Sequence, residues 1–247
     1  LFYMLTQGFT IYRSVFFAIV VMMVVSAVQP ISRVGVKEIT IALDKSARNA
    51  TQIAMATASA SIVLGALNTS GLGVIFGQWL VRLAAGVVIV LLVLVAVFAI
   101  ILGFGMPTTA AYILAAALLG PALAAVELGG LPSHFYIFTF AVYSTITPPV
   151  ALAAFAAGQV ADADPMRVAL TAMKMVLPTF LIPVRYIYRP AILLQMSMVD
   201  MVIDTVVLLV AVVVIQAGLW GWPVRDKFAR LFAVLAALVL IVPPQLV

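Results

Sequence analysis

Two short stretches of this chain place oxygen donors inside otherwise apolar runs. The first, LGFGMPTTAAYI (102–113), sets Gly103, Gly105, Met106, Pro107, Thr108 and Thr109 within the apolar segment from Gly86 to Ala124. The second, AVYSTITPPVALAAF (141–155), gathers Ser144, Thr145 and Thr147 against Pro148 and Pro149. A helix ending near Gly103 exposes carbonyl oxygens, the negative pole of its dipole, and a helix starting near Thr108 exposes N–H groups, the positive pole. A hard monovalent cation suits the carbonyls and hydroxyls, while a carboxylate suits the N–H end. Secondary transporters hold coupling ions and anionic substrates near the bilayer midplane in this way. In the second stretch the consecutive prolines free carbonyls one turn upstream, around Ser144 and Thr145, beside three hydroxyl oxygens.

The elements that carry these stretches are membrane helices. The chain is 66% hydrophobic and 9% charged, with a mean hydropathy of +1.29, whereas a soluble domain carries about 25% charged residues. Apolar runs near the roughly 20 residues a bilayer requires lie at 10–28, 50–67, 87–103, 107–124, 132–158, 168–187, 199–218 and 228–242. Barrel strands alternate apolar and polar residues, and VVIVLLVLVAVFAII (87–101) does not. An all-α polytopic membrane protein is expected. With no cysteine and a single histidine, His134, disulfides, thiol catalysis and Cys/His metal sites drop out. The net charge of +5 reads as topology rather than nucleic-acid binding.

The segment 86–124 has two readings: a continuous span kinked by Gly and Pro, or a re-entrant hairpin. The arm 87–102 has 16 residues, about 24 Å at 1.5 Å per residue, and the arm 108–124 is similar, so each is marginal for crossing alone. The hairpin fits both lengths. Gly103 and Gly105 then permit the reversal, Pro107 occupies the first turn of the returning arm, and Thr108 and Thr109 sit at its N-terminus. The run 132–158 is expected to be one span broken at Ser144–Pro149, since irregular backbone at membrane depth is tolerated only where protein or a cavity lines it. The alternative is a proline kink whose hydroxyls bond back to their own helix.

Counting basic residues orients the chain. Arg33, Lys37, Lys45 and Arg48 share one side with Arg167 and with Arg225, Lys227 and Arg230, while Arg82, Arg185 and Arg189 fall opposite. By the positive-inside rule the richer side is the cytoplasm, which places 127–135 and the open side of the hairpin outside. Segment 31–49 has Ile39, Leu43 and Ala47 about a turn apart and reads as an interfacial amphipathic helix leading into the next span. The organisation expected is a scaffold span with this interfacial helix (1–49), a transport repeat (50–187) and a two-helix extension (188–247).

The stretches GMPTTAAYILAAALLGPAL, FAVYSTITPPVALAAFAAG and DPMRVALTAMKMVLPTFLIPVRYIYRPAILL occur in an order and spacing that resembles the large membrane subunit of tripartite ATP-independent periplasmic (TRAP) transporters, specifically the TAXI subfamily and its C-terminal half. The resemblance covers nearly the whole chain. It implies an inner-membrane, elevator-type secondary transporter with two inverted repeats, each supplying a re-entrant hairpin and a discontinuous helix. It also implies an extracytoplasmic binding protein that delivers small organic acids or amino acids, and sodium as coupling ion. Carried onto this chain, ion-binding candidates are Gly103, Gly105, Met106, Ser144, Thr145 and Thr147, and substrate-binding candidates are Thr108, Thr109, Pro148 and Pro149. No partner repeat is found in these 247 residues, so the chain is expected to be a fragment or a split subunit whose partner is the missing N-terminal half of the permease. Apart from sodium no cofactor is expected.

Other residues receive plainer readings. His134 is an interfacial residue beside Pro132, Asp200 and Asp204 cap the start of the 199–218 span, and Lys174 lies one to two turns into its span and snorkels outward. Asn68, Thr69 and Ser70 either face the ion site or form a loop between helices. Two other function classes stay open. An intramembrane enzyme lacks the deep acid/base set it would need, and a non-transporting assembly subunit would have no use for broken helices. Proton coupling is the alternative to sodium.

Overall fold

The structure is a computed structural model and describes residues 2–28 and 35–220. The described residues form helices and turns only. The chain falls into two compact units, Leu1–Met55 and Ala56–Val247.

In the first unit, α1 (Phe2–Thr6) precedes α2 (Ile11–Val28), and α3 (Val36–Ser70) then begins. Apolar α2 residues stand largely exposed, as expected of side chains bound for lipid: Tyr12 is 88% exposed and Met22 69%. Ile19, Met22 and Met23 of α2 face Ile39, Ala42 and Leu43 of α3 across a cleft of about 350 Å³. The expected boundary at 49/50 falls inside α3, which runs unbroken for 35 residues. Between Lys37 and Ala60 there is no Gly or Pro, so nothing interrupts the backbone hydrogen bonds where amphipathic character gives way to apolar.

In the second unit, the helix bends by 76° between Thr57–Leu67 and Leu72–Leu83. The turn residue is Gly71, at φ +68°, a left-handed conformation that glycine adopts without strain. Next come α4 (Leu72–Leu83), α5 (Val88–Gly103), α6 (Thr108–Ala124) and α7 (Leu131–Tyr143), which share one core. Leu80, Leu92, Val95, Ala99, Ala115, Leu119, Ala122, Leu123 and Ile137 are fully buried in it.

Small residues bring these helices close. A Cβ on Gly77 would stand 2.9 Å from the Ala122 nitrogen, and one on Gly73 would stand 2.9 Å from the Ala117 carbonyl oxygen. Pro121, inside α6, is the reason for the second contact: it removes the N–H that Ala117 would have received, and α4 packs onto the freed oxygen. Across the core, Tyr136 of α7 donates a 2.7 Å hydrogen bond to the Leu92 carbonyl of α5.

The chain continues through α8 (Leu152–Val160), α9 (Pro165–Val176), a 3-10 turn (Leu177–Phe180), α10 (Leu181–Tyr188), a second 3-10 turn (Pro190–Leu193) and α11 (Met198–Trp220). Asp164 caps α9 by accepting the Arg167 N–H at 2.7 Å, with Pro165 in the first turn. Pro165–Tyr188, with 24 residues, and Met198–Trp220, with 23, are each long and apolar enough to cross a membrane. In contrast, α5 and α6 have 16 and 17 residues, and the run 132–158 is divided into α7 and α8, of 13 and 9 residues. The expected span 228–242 lies outside the described residues.

Candidate ion and substrate site

Both anticipated breaks are present, and they touch. Between α5 and α6 the chain turns through Phe104–Pro107, with Gly105 at φ +73°. Phe104 and Met106 donate to the carbonyls of Ile101 and Gly103, which tightens the end of α5. Pro107 stands just before α6 as its cap residue, at φ −58° and ψ 144°, and not in the first helical turn as the sequence suggested. No side chain caps this helix. Among the described residues the N–H groups of Thr108, Thr109 and Ala110 find no acceptor, so the positive end of the helix is open. Both threonines are exposed, and neither hydroxyl forms a hydrogen bond among the described residues.

Between α7 and α8 the chain is irregular over 144–151. It contains a cis Pro148–Pro149 peptide and a left-handed Ala151 at φ +33°, fully buried. The carbonyls freed by the two prolines are largely taken up again: Thr145 O accepts from Ala153 at 2.9 Å, and Ser144 O accepts from Thr147 at 3.4 Å. The partners these carbonyls need are thus found locally; the start of α8 folds back to supply the donor to Thr145 O. The carbonyls of Leu102 and Ile146 accept no hydrogen bond among the described residues.

The three hydroxyls bond back to the preceding turn. Ser144 donates to Ala141 O at 2.6 Å, Thr145 to Val142 O at 2.8 Å and Thr147 to Tyr143 O at 2.7 Å. This is the geometry of the kink alternative, but it does not exclude ion binding. Each proton is committed inward, which leaves the oxygen lone pairs as acceptors. Ser144 and Thr147 are buried and Thr145 half-buried.

Gly103 is where the breaks meet. A Cβ there would overlap Ser144 Oγ, stand 2.7 Å from Ser144 Cβ and 3.0 Å from Ala141 O. Two residues on, the Cβ position of Gly105 lies 3.8 Å from Val150. The end of α5 is therefore pressed against the start of the second break, and the tip of the turn lies beside its far side. Met106 and Pro148 are half-buried next to these contacts in sequence, and Pro149 is exposed.

Several supporting residues were not anticipated. Tyr143, the last residue of α7, donates to the Thr179 hydroxyl at 2.9 Å and stacks on Phe180, 4.8 Å between centroids. Thr147 also lies 3.7 Å from Met173 Sδ, so the break is braced against α9 and the turn that follows it. Aromatics preceding a break were the available signal; the partner of Tyr143 lies 36 residues onward and leaves no local trace.

The acid readings divide. Ser197 and Asp200 form a reciprocal cap on α11, at 2.6 and 3.2 Å. Asp204 does not cap; its side chain is 0% exposed, 2.7 Å from Arg185 Nη2 and 3.6 Å from Arg189 Nε. Arg185 and Arg189 are therefore not simple topology markers. Counting inward from the 188–198 turn puts Arg185 three residues in and Asp204 six residues in, a difference that the long arginine side chain spans, and this is the signal that could have found the pair. His134 is exposed and shares a 3.0 Å hydrogen bond with Tyr112. Thr69 and Ser70 bond back to their own helix at the end of α3.

A model of one protein family, described as tripartite ATP-independent periplasmic transporter, DctM component, matches residues 1–192. No curated protein and no solved structure matches the chain.

Proposed function

We propose, from the premise that this chain belongs to the DctM component family of tripartite ATP-independent periplasmic transporters, that it supplies one repeat of a sodium-coupled secondary transporter for small organic anions or amino acids. The family is one of membrane transporter components. In this reading α5 and α6 are a re-entrant hairpin open to the extracytoplasmic face of the inner membrane. The contact of Gly103 with Ser144 is the observation that carries the proposal. It sets the carbonyl end of one helix against the buried hydroxyls of a second break, which suits a hard, dehydrated monovalent cation. The open N–H end at Thr108 and Thr109 is suited to a carboxylate. An extracytoplasmic binding protein and a small membrane subunit complete the assembly, and a second repeat shares the substrate pocket and moves with this one as an elevator. Residues 188–247 are in this reading the two-helix C-terminal extension of the TAXI subfamily. Proton coupling and a purely structural subunit are the competing readings.

This chain contains no cysteine, so a single cysteine introduced into it is its only maleimide target. In the complete transporter, Thr108→Cys is expected to react with a maleimide several-fold more slowly in sodium than in choline. Equal rates in both would refute a sodium site at the tip, and substrate uptake driven by a pH gradient without sodium would establish proton coupling instead.

A further inference from the structure

The exposed face of α9 carries Arg167, Thr171 and Lys174. Residues 4 and 7 apart lie on one helical stripe, with the two cations about 10 Å apart along the axis. The Thr171 hydroxyl donates to the Arg167 carbonyl at 2.8 Å, so the stripe presents two cations and no free hydroxyl proton. Asp164, the nearest acid in sequence, uses Oδ1 on the Arg167 backbone N–H. Among the described residues neither the Arg167 nor the Lys174 side chain forms an ion pair or hydrogen bond.

Two clefts flank this stripe and share Thr171. One, about 610 Å³, is lined by Thr171, Lys174, Leu177, Leu219 and Trp220. The other, about 300 Å³, is lined by Arg167, Val168, Thr171, Ala172 and Met175. Apart from the stripe the walls are apolar, and Met175, Leu177 and Trp220 are each about half exposed, at 57%, 45% and 53%.

Depth decides what such a surface meets. Trp220 follows the apolar run 199–218 and precedes Arg225 and Lys227 by a few residues in sequence, the level at which tryptophan anchors at the membrane interface. Lys174 lines the same cleft, nine residues into its own span, so its ammonium reaches toward the level of Trp220. By the charge count this side is the cytoplasmic one, where the leaflet is anionic.

We infer that the α9 stripe and the α11 end form a binding site for an anionic glycerophospholipid. Lys174 and Arg167 take the phosphodiester, Trp220 lies at the glycerol level, and an acyl chain runs along Leu177 and Leu219. Charge complementarity selects an anionic over a zwitterionic headgroup, and the apolar walls select a lipid over a soluble phosphate.

The test is thermal unfolding of the full chain in a neutral detergent, titrated with phosphatidylglycerol, phosphatidylcholine or glycerol 3-phosphate. A saturable rise in Tm with phosphatidylglycerol alone is expected. Arg167→Gln with Lys174→Gln should raise the half-saturating lipid concentration at least tenfold, while Lys37→Gln with Lys45→Gln should leave it unchanged. Both pairs are exposed, so their substitution leaves the packed core intact. An unchanged response in the Arg167/Lys174 variant, an equal response to phosphatidylcholine, or reproduction of the shift by glycerol 3-phosphate would each overturn the inference.

Discussion

Adding one methyl group at Gly103 tests the meeting of the two breaks directly. In Gly103→Ala the new Cβ would stand 2.7 Å from Ser144 Cβ and 3.0 Å from Ala141 O, where carbon atoms prefer about 3.5–4.0 Å. One side must retreat by about 1 Å. The end of α5 is poorly placed to do so, because Val95 and Ala99 are fully buried on the same helix and Leu92 O is held by Tyr136. Overpacking of this kind costs about 1–3 kcal/mol, and a backbone atom among those met points to the upper end. Alanine recovers about 0.5–1 kcal/mol relative to glycine in a helix, leaving a net loss of about 2 kcal/mol. For a chain of this size that lowers Tm by about 4–8 °C. Gly120→Ala supplies the control in the other arm of the hairpin: its Cβ would meet nothing within 4 Å, so stability should hold or rise by about 0.5 kcal/mol. Thermal unfolding of both variants in detergent, by circular dichroism or fluorescence, reads the difference. If Gly103→Ala melts with the parent or above Gly120→Ala, the breaks do not touch as described.

Two further substitutions follow from the fixed polar contacts. Asp204→Asn leaves Arg185 and Arg189 without their shared buried anion and should cost about 3–5 kcal/mol, whereas Arg185→Met combined with Asp204→Leu should recover most of that loss; the melting temperatures of the single and double variants decide it. Tyr136→Phe removes the second donor to the Leu92 carbonyl, which keeps its helical partner in α5, and should cost about 0.5–1.5 kcal/mol, read as earlier deuterium uptake in α5 and α7 than elsewhere in the chain.

The breaks were legible because they are written in residue types whose backbone behaviour is local. Gly103, Gly105 and Pro107, and the adjacent Pro148 and Pro149, crowd helix-breaking residues into two short stretches, whereas the lone Pro121 is carried inside α6. What depends on partners was not legible. Ala151 adopts a left-handed conformation that nothing about alanine suggests; it is imposed by the chain having to turn back so that Ala153 can reach Thr145 O. Thr145 itself reads as an open oxygen donor until its carbonyl is seen to be occupied. Asp204 reads as a helix cap because its own sequence neighbourhood is a helix start, and only the packing of α11 on α10 reveals an arginine at its depth. Likewise the hydropathy of α3 changes at 49/50 and suggests a boundary there, although the peptide backbone registers no such change.

The Arg185–Asp204 pair also bears on how the protein enters its membrane. Arg185 lies three residues from the end of its 24-residue span, where a charged side chain costs less on insertion than the about 2.5–3.5 kcal/mol of a central one, but residues 165–188 carry two other cations, Arg167 and Lys174. The compensating carboxylate is synthesised only 19 residues after Arg185. The span 165–188 is therefore expected to linger beside the translocon until 198–220 emerges, with the two released into lipid as a neutralised helical pair.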